Sequence, residues 1–273
     1  AYLAAADAAI DEALQLGPKP DSGPRLIDYR NHPYVRMWFD RELRRGGNTV
    51  KRTDDAFVTF DGRPHTTRTD NMGIRFPVAG RYRIAADAYA YQAKTPVTFC
   101  IYRGNDRAGS AELIGSWQLD PGQPRQVEIE HYFTPEDYFY LAPADLDELP
   151  DGRSFWAFGA RDYPGEGLAI RRLTLEGPLE KQWPPERTRN LLGEVDFRMR
   201  NGGGYEPVFP DEPLARVANV VSRIGPRAFR RPLENGEPEQ WASLAMPVLA
   251  EGRGFEEALR VVLRGMLSSP EFL

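Results

Sequence analysis

Residues Gly167 to Pro178 read GLAIRRLTLEGP. The stretch has the texture of the last strand of a β-sandwich. Leu168 and Ile170 share one face by the two-residue period of a strand. Leu173 and Leu175 share a face too, in the opposite phase, and Arg171-Arg172 sits at the slip. One extra residue there, a β-bulge, would let both apolar pairs face the same core. The competing reading is a strand that crosses from one packing partner to another. Past Pro178 the texture changes: Trp183-Pro184-Pro185 opens a region of helical spacing that runs to the end. A helical stretch also precedes the first strand. The fold class this predicts is α+β and multidomain, an antiparallel β-sandwich or jelly roll inserted into an α-helical host.

Upstream of the closing strand the period of two recurs. Gly80 to Tyr91 alternates most clearly, with Tyr82, Ile84, Ala86, Ala88 and Ala90 on one face. Strands are also expected over Ala56–Phe60, Met72–Phe76, Pro96–Tyr102, Leu113–Leu119, Gln126–Phe133, Asp137–Leu141 and Ser154–Gly159. Short strands split by Gly, Pro and Asp turns, with no helix between them, point to an antiparallel sandwich. Parallel α/β topology is disfavoured because no crossover helices are available.

Helical spacing marks both flanks. Ala1 to Leu16 places Leu3, Ala6, Ile10 and Leu14 on one stripe, ended by Gly17-Pro18. Tyr34 to Arg45 carries Val35, Trp38, Phe39 and Leu43, stopped by Gly46-Gly47. Downstream come Pro185–Leu192, then a loop with Gly202, Gly203 and Gly204 read as a flexible connector. Pro213–Phe229 follows with a break or kink at Gly225-Pro226, then Pro238–Ala250 and Gly254–Ser268. Neighbouring first and last strands would bring the sandwich ends together, which suits insertion into a host loop. The expected division is 1–47 host, 48–178 sandwich, 179–212 linker with a short helix, and 213–273 helical bundle segment. Trp183-Pro184-Pro185 is expected to staple the sandwich to the helices.

The chain has 273 residues, a formal net charge of -5 and one cysteine. A net acidic chain argues against a nucleic-acid footprint, which needs a concentrated basic face. No run of about 18 apolar residues is present, so no membrane-spanning helix is expected. Cys100, alone, permits no intramolecular disulfide and reads as a small apolar side chain. The chain opens at Ala1 in helical rhythm and stops at Leu273 without a tail, which reads as a segment of a longer protein.

Three stretches, AYLAAADAAIDEAL, VSRIGPRAFRRPLENGEPEQW and GFEEALRVVLRGMLSSPEFL, together resemble the large planctomycete-type proteins of unknown function that are linked to a cytochrome c domain. Ala228 to Pro232, AFRRP, and the closing LSSPEFL carry the resemblance. It implies an exported parent protein, periplasmic or at the cell surface. In that family a haem domain carries a CxxCH motif. This chain has none, so haem would belong elsewhere in the parent. The middle region resembles jelly-roll carbohydrate-binding modules, including the calcium-dependent xylan-binding type. The similar features are GRYRIAADAYAYQ, CIYRG and GLAIRRLTLEGP.

The leading site candidate is the loop Arg161 to Glu166. Tyr163 stands between a carboxylate and a Pro-Gly turn, a setting that suits an exposed ring. Such a ring can stack on a sugar face while Asp162 accepts hydroxyl hydrogen bonds. Glu166 shares the loop, and Tyr91 with Asp70-Asn71 could join from the same end. The plainer reading packs Tyr163 on the sandwich edge and pairs Asp162 with Arg161. Half-burying one tyrosine ring removes about 100 Å² from water, roughly 2–3 kcal/mol, most of it consumed by association costs. Asp145, Asp147 and Asp151 form an acidic loop whose oxygens suit calcium, but their spacing departs from the EF-hand pattern, and a solvated acidic turn is the plainer reading. His32, His65 and His131 lack metal-ligand spacing.

Three hypotheses follow. The first is a non-catalytic, polysaccharide-binding-like module within a larger exported, cytochrome-linked protein. The second is a structural or protein-docking domain that positions other domains of the parent. The third, an enzyme, has no catalytic constellation in the sequence to support it.

Overall fold

The computed structural model describes residues 2–39, 50–61, 66–105, 109–146, 149–209 and 212–272. The first half runs α1 (Tyr2–Ala13), β1 (Arg25–Ile27), α2 (Pro33–Phe39), β2 (Val50–Arg52), β3 (Phe57–Thr59), β4 (Gly80–Tyr91), β5 (Val97–Asn105) and β6 (Ser110–Leu119). It continues with β7 (Arg125–Phe133), β8 (Asp137–Ala144), α3 (Phe155–Phe158) and β9 (Gly167–Glu176). The rest comprises α4 (Glu186–Leu192), β10 (Asp196–Met199), β11 (Tyr205–Val208), α5 (Pro213–Ala228), α6 (Glu237–Ala242), α7 (Met246–Ala250) and α8 (Phe255–Leu267). Two compact units result: Pro20–Leu179, and a unit made of Ala1–Lys19 with Glu180–Leu273.

The first unit is an antiparallel β-sandwich. One sheet has the order β2-β3-β9-β4-β7, with β1 also on β9; the other is β6-β5-β8. Inward residues of both sheets form one core, among them Ile84, Ala86, Phe133, Phe99, Ile101, Phe139 and Leu141. At the closing strand Asp87 faces Arg172 while Ala88 faces Ile170, so Arg171 is the extra residue of a β-bulge. Leu168, Ile170, Leu173 and Leu175 all enter the same core. The phase slip in GLAIRRLTLEGP is therefore a bulge.

Several expectations are corrected. Pro20–Phe39 belongs with the sandwich, since Ile27, Tyr29, Val35 and Phe39 bury in its core. Each such side chain contributes about 1.5–3 kcal/mol when fully buried, enough to displace the expected boundary at residue 47. The second helix is described only over Pro33–Phe39; Leu43 and Gly46-Gly47 lie outside the described residues. Met72–Phe76 is not a strand. Asp70–Met72 is a 3-10 turn ended by Gly73 at φ 70°, a left-handed conformation natural to glycine. Ser154–Gly159 is not a strand either: Phe155–Phe158 forms a helical turn capped at Gly159.

In the second unit, Ile10, Leu14 and Leu16 share a core with Leu192, Val217, Val221, Leu259, Val262 and Met266. The last carbonyls of α1 lack helical donors. Arg187 Nε supplies one to Glu12 O at 2.9 Å, and Thr188 Oγ1 one to Ala13 O at 2.9 Å. Trp183 Nε1 donates to Gly17 O at 2.7 Å, so this tryptophan ties the two chain segments of the helical unit together. The triple glycine is the turn of the β10–β11 hairpin, with Gly202, Gly203 and Gly204 at φ 91°, 93° and 86°. α5 runs through Gly225-Pro226 to Ala228, and bare Gly225 leaves room for Leu233 to lie against it. Pro238–Ala250 divides into α6, a 3-10 turn and α7. Arg231 grips Glu237 at 2.7 and 2.8 Å, holding that carboxyl well below its usual range, at about 2.

Candidate functional site

The loop Arg161–Glu166 does not present a free ring. Tyr163 is 7% exposed and packs against Phe60, with ring centroids 5.3 Å apart, and against Phe158 at 5.9 Å. With Ala56, Val58, Phe155 and Ala169 these side chains make a second small core on the outer face of the larger sheet, roofed by the α3 segment. Of the two sequence readings of Tyr163, a ring exposed beside Pro164-Gly165 and a ring packed on the sandwich edge, the packed one holds. The ring is buried because the chain before it folds back over β3, β4 and β9. Tyr91 is half-buried at the margin, edge-on to Phe60 at 6.1 Å, with Lys51 Nζ 5.2 Å from its ring centre. Glu166 is buried, and its Oε1 accepts the Lys94 N–H at 3.2 Å. Asp162 is exposed.

Asp70 is found elsewhere. Its carboxylate takes two hydrogen bonds from the Arg68 guanidinium, one at 2.9 Å from Nε, and its side chain is 6% exposed. Burial pushes this carboxyl up, but the Arg68 hydrogen bond and charge, with Arg75 nearby, outweigh it and hold the group below its ordinary range. Arg68 in turn lies over the Tyr138 ring, 3.7 Å from its centre. Thr69 anchors this segment by hydrogen bonds in both directions with the Phe139 backbone. Asp70 and the exposed Asn71 thus border the smaller sheet, while Tyr163, Tyr91 and Glu166 belong to the larger one.

The outer face of β6-β5-β8 carries residues that sequence reasoning missed. Register places Gln118, Thr98 and Ala144 in one row and Ser116, Cys100 and Ala142 in the next. Leu113, Tyr102 and Tyr140 follow, then Ala111, Gly104 and Tyr138. Tyr102 stacks on Tyr140 with centroids 4.9 Å apart and planes 9° from parallel. Tyr138 lies flat on Gly104, where an added Cβ would come within 2.3 Å of the ring. At the far end Gln118 Nε2 donates to Thr98 Oγ1 at 2.7 Å, and Thr98 Oγ1 donates to Asp145 Oδ2 at 3.2 Å. Ser116, Gln118, Leu113 and Asp145 are exposed and Tyr102 is half-buried; Tyr138, Tyr140 and Cys100 are buried. Burial raises the Tyr102 and Tyr140 phenols and the Cys100 thiol, so all three stay protonated at neutral pH. The signal was available in the alternation of Tyr138, Tyr140 and Ala142, but only pairing with β5 brings Tyr102 to Tyr140.

Of the acidic loop, Asp151 is spent on Arg153, accepting its Nε at 2.6 Å, and Asp147 lies outside the described residues. Among the described residues no group of three or more His, Cys, Asp and Glu side chains gathers to hold a metal ion. Nor, among them, is any helix long and apolar enough to cross a membrane.

A family model described as PSD5, protein of unknown function (DUF1595), matches residues 216–273. No curated protein matches the chain. Among solved structures, the chain is similar to the CBM22-1 xylan-binding domain of Paenibacillus barcinonensis Xyn10C, at 8% identity and TM-score 0.31, over 61% of this chain and 89% of that one. It is also similar to the C-terminal CBM6 of the marine laminarinase LamC of Zobellia galactanivorans, at 14% identity and TM-score 0.29, over 57% and 100%. The C-terminal family 22 carbohydrate-binding module of Clostridium thermocellum Xyn10B aligns at 14% identity and TM-score 0.30, over 50% and 80%.

Proposed function

We propose that the sandwich is a non-catalytic polysaccharide-binding module of a larger exported protein, with its ligand surface on the outer face of β6-β5-β8. The observation that carries this reading is Tyr102, half-buried and held flat by its stack on Tyr140, in the same face as Ser116, Gln118, Thr98 and Asp145. A braced ring offers a sugar an apolar platform with little conformational entropy left to lose. The flanking hydroxyl, amide and carboxylate groups supply donors and acceptors for sugar hydroxyls. From Thr98 to Tyr102 a strand spans about 13 Å, room for two or three sugar rings in a line. Binding therefore favours a chain over a free monosaccharide. The loop set of Tyr163, Asp162, Tyr91 and Glu166 is the rival location, now limited to the exposed Asp162 and the half-buried Tyr91.

Affinity electrophoresis of the protein through gels containing neutral polysaccharides, with and without calcium, tests the reading. Retardation by at least one of them, abolished by Tyr102→Ala and reduced by Gln118→Ala, is the expected result. Retardation that survives Tyr102→Ala but is lost in Asp162→Ala or Tyr91→Ala moves the site back to the loop. Free migration through every polysaccharide sinks the proposal and leaves the docking-domain reading.

A further inference from the structure

We propose that the gap beside the β9 bulge is a binding site for an oxyanion. Two short strands share one edge of β9: β3 pairs with Leu168 to Ile170, and β1 with Leu173 to Leu175. Neither pairs with Arg171 or Arg172, and β4 occupies the other edge. The interval opens into a cavity of about 250 Å³ between the bulge and the turn that follows β1.

The walls carry Arg30, Arg171 and Arg172 against the carboxylate of Asp28, a net positive lining. Arg30 and Arg172 both line the cavity, and neither has a charged partner among the described residues. Arg30 Nε is closed off from solvent and has no hydrogen-bond partner. The Nε atoms of Arg83, Arg103 and Arg216 are closed off in the same way, but those guanidiniums bond through their Nη atoms, which Arg30 does not. The neighbouring acceptors have other partners, though the charge of Asp28 stays on the wall and sets the affinity expected here low. Asp28, the carboxylate on the cavity wall, accepts the Asn31 N–H at 3.2 Å and the Asn31 amide at 2.7 Å. Asn31 Oδ1 accepts from Arg52 at 2.8 Å. Arg171 is engaged with Asp55 at 3.4 Å and Asp87 at 3.3 Å.

Two guanidinium groups with donors to spare stand beside a stretch of β9 that has no ladder partner on this edge, and neither is ion-paired with a carboxylate among the described residues. The planar fork of arginine matches sulfate, phosphate and carboxylate oxygens. The shared chemistry is an oxyanion, supplied either by a free inorganic ion or by the acidic group of a charged sugar. The site lies on β9 and the turn after β1, and it does not depend on glycan binding at the β6-β5-β8 face.

Titration of the full chain with sodium sulfate, sodium phosphate and sodium glucuronate, followed by NMR at constant ionic strength in chloride, tests this. Arg172→Gln is the principal variant, Arg30→Gln the second, and Arg227→Gln in the helical unit the charge-matched control. Saturable millimolar binding of sulfate or phosphate is expected, weakened about tenfold or more by Arg172→Gln and unchanged by Arg227→Gln. Glucuronate binding alone, with the same loss in Arg172→Gln, assigns the anion to a charged sugar. No saturation by any of the three at tens of millimolar overturns the proposal, as does an equal loss in Arg227→Gln. Should Arg30→Gln fail to fold, the exposed Arg172 still decides.

Discussion

The outer face of the larger sheet carries Phe60, Tyr91 and Tyr163; the outer face of the smaller one carries Tyr102, Tyr138 and Tyr140. On the larger sheet the chain between β8 and β9 folds back and the aromatics become a second core, in which the helical turn that carries Phe155 packs with Phe60 and Tyr163. On the smaller sheet Tyr138 rests on Gly104 with Arg68 over its ring, while Tyr140 is held by its strand neighbour Tyr102. One cluster spends its rings on stability. The other keeps a braced ring partly open with polar groups in line. An aromatic side chain beside turn residues is thus no guide to exposure. What matters is whether another segment has enough apolar surface to cover it.

The largest test of that contrast is deletion of Arg171. Without the extra residue, Leu168 and Ile170 would turn from the main core to the roofed face, and Ala169 would take their place. Loss of the cooperative fold is expected, read by near-UV circular dichroism; a native spectrum would show that the bulge does not set the two faces. Next, Tyr163→Ala should cost roughly 3 kcal/mol in urea unfolding while glycan retardation is unchanged. The reverse pattern, full stability with lost binding, would exchange the roles of the two clusters. Gly104→Ala drives a methyl into the Tyr138 ring and should cost about 1–3 kcal/mol, with retardation weakened if Tyr138 braces its neighbours.

The smallest effect is the pH dependence of Asp70. Its carboxyl titrates lower in the fold than in the unfolded chain. Its stabilising contribution is therefore complete above the ordinary carboxylate range, near pH 4, and is lost as pH falls through the lower folded value. Asp70→Asn should be less stable than the parent at pH 6, and the difference should shrink on acidification. A difference independent of pH would mean that the Arg68 contact stabilises by shape alone.

Much of the sandwich was legible because alternation is a local signal. Gly80–Tyr91 and the slip at Arg171 are read directly from residue order. β1 has three residues, and nothing in Arg25-Leu26-Ile27 announces a strand until β9 lies beside it. The β10–β11 hairpin was hidden because three glycines suit a loose connector and a tight turn equally. The two readings of Tyr163 stayed open in the sequence because part of its cover, Phe60, is distant in the chain, and the rest, Phe155, needs a helical turn to reach it. Tyr102 and Tyr140 lie in separate strands, so their stack appears only once the register is known.

The hydrogen bond from Trp183 to Gly17 has a practical corollary. The points where the chain departs from the helical body and rejoins it are fastened to each other by groups that belong to that body alone. Replacing residues 20–179 with a few glycines would then ask only for a short tether across a distance already closed. The product would be a small, mainly helical protein with one β-hairpin, carrying the whole stretch matched by the family model, on which the properties of that stretch could be measured without a passenger.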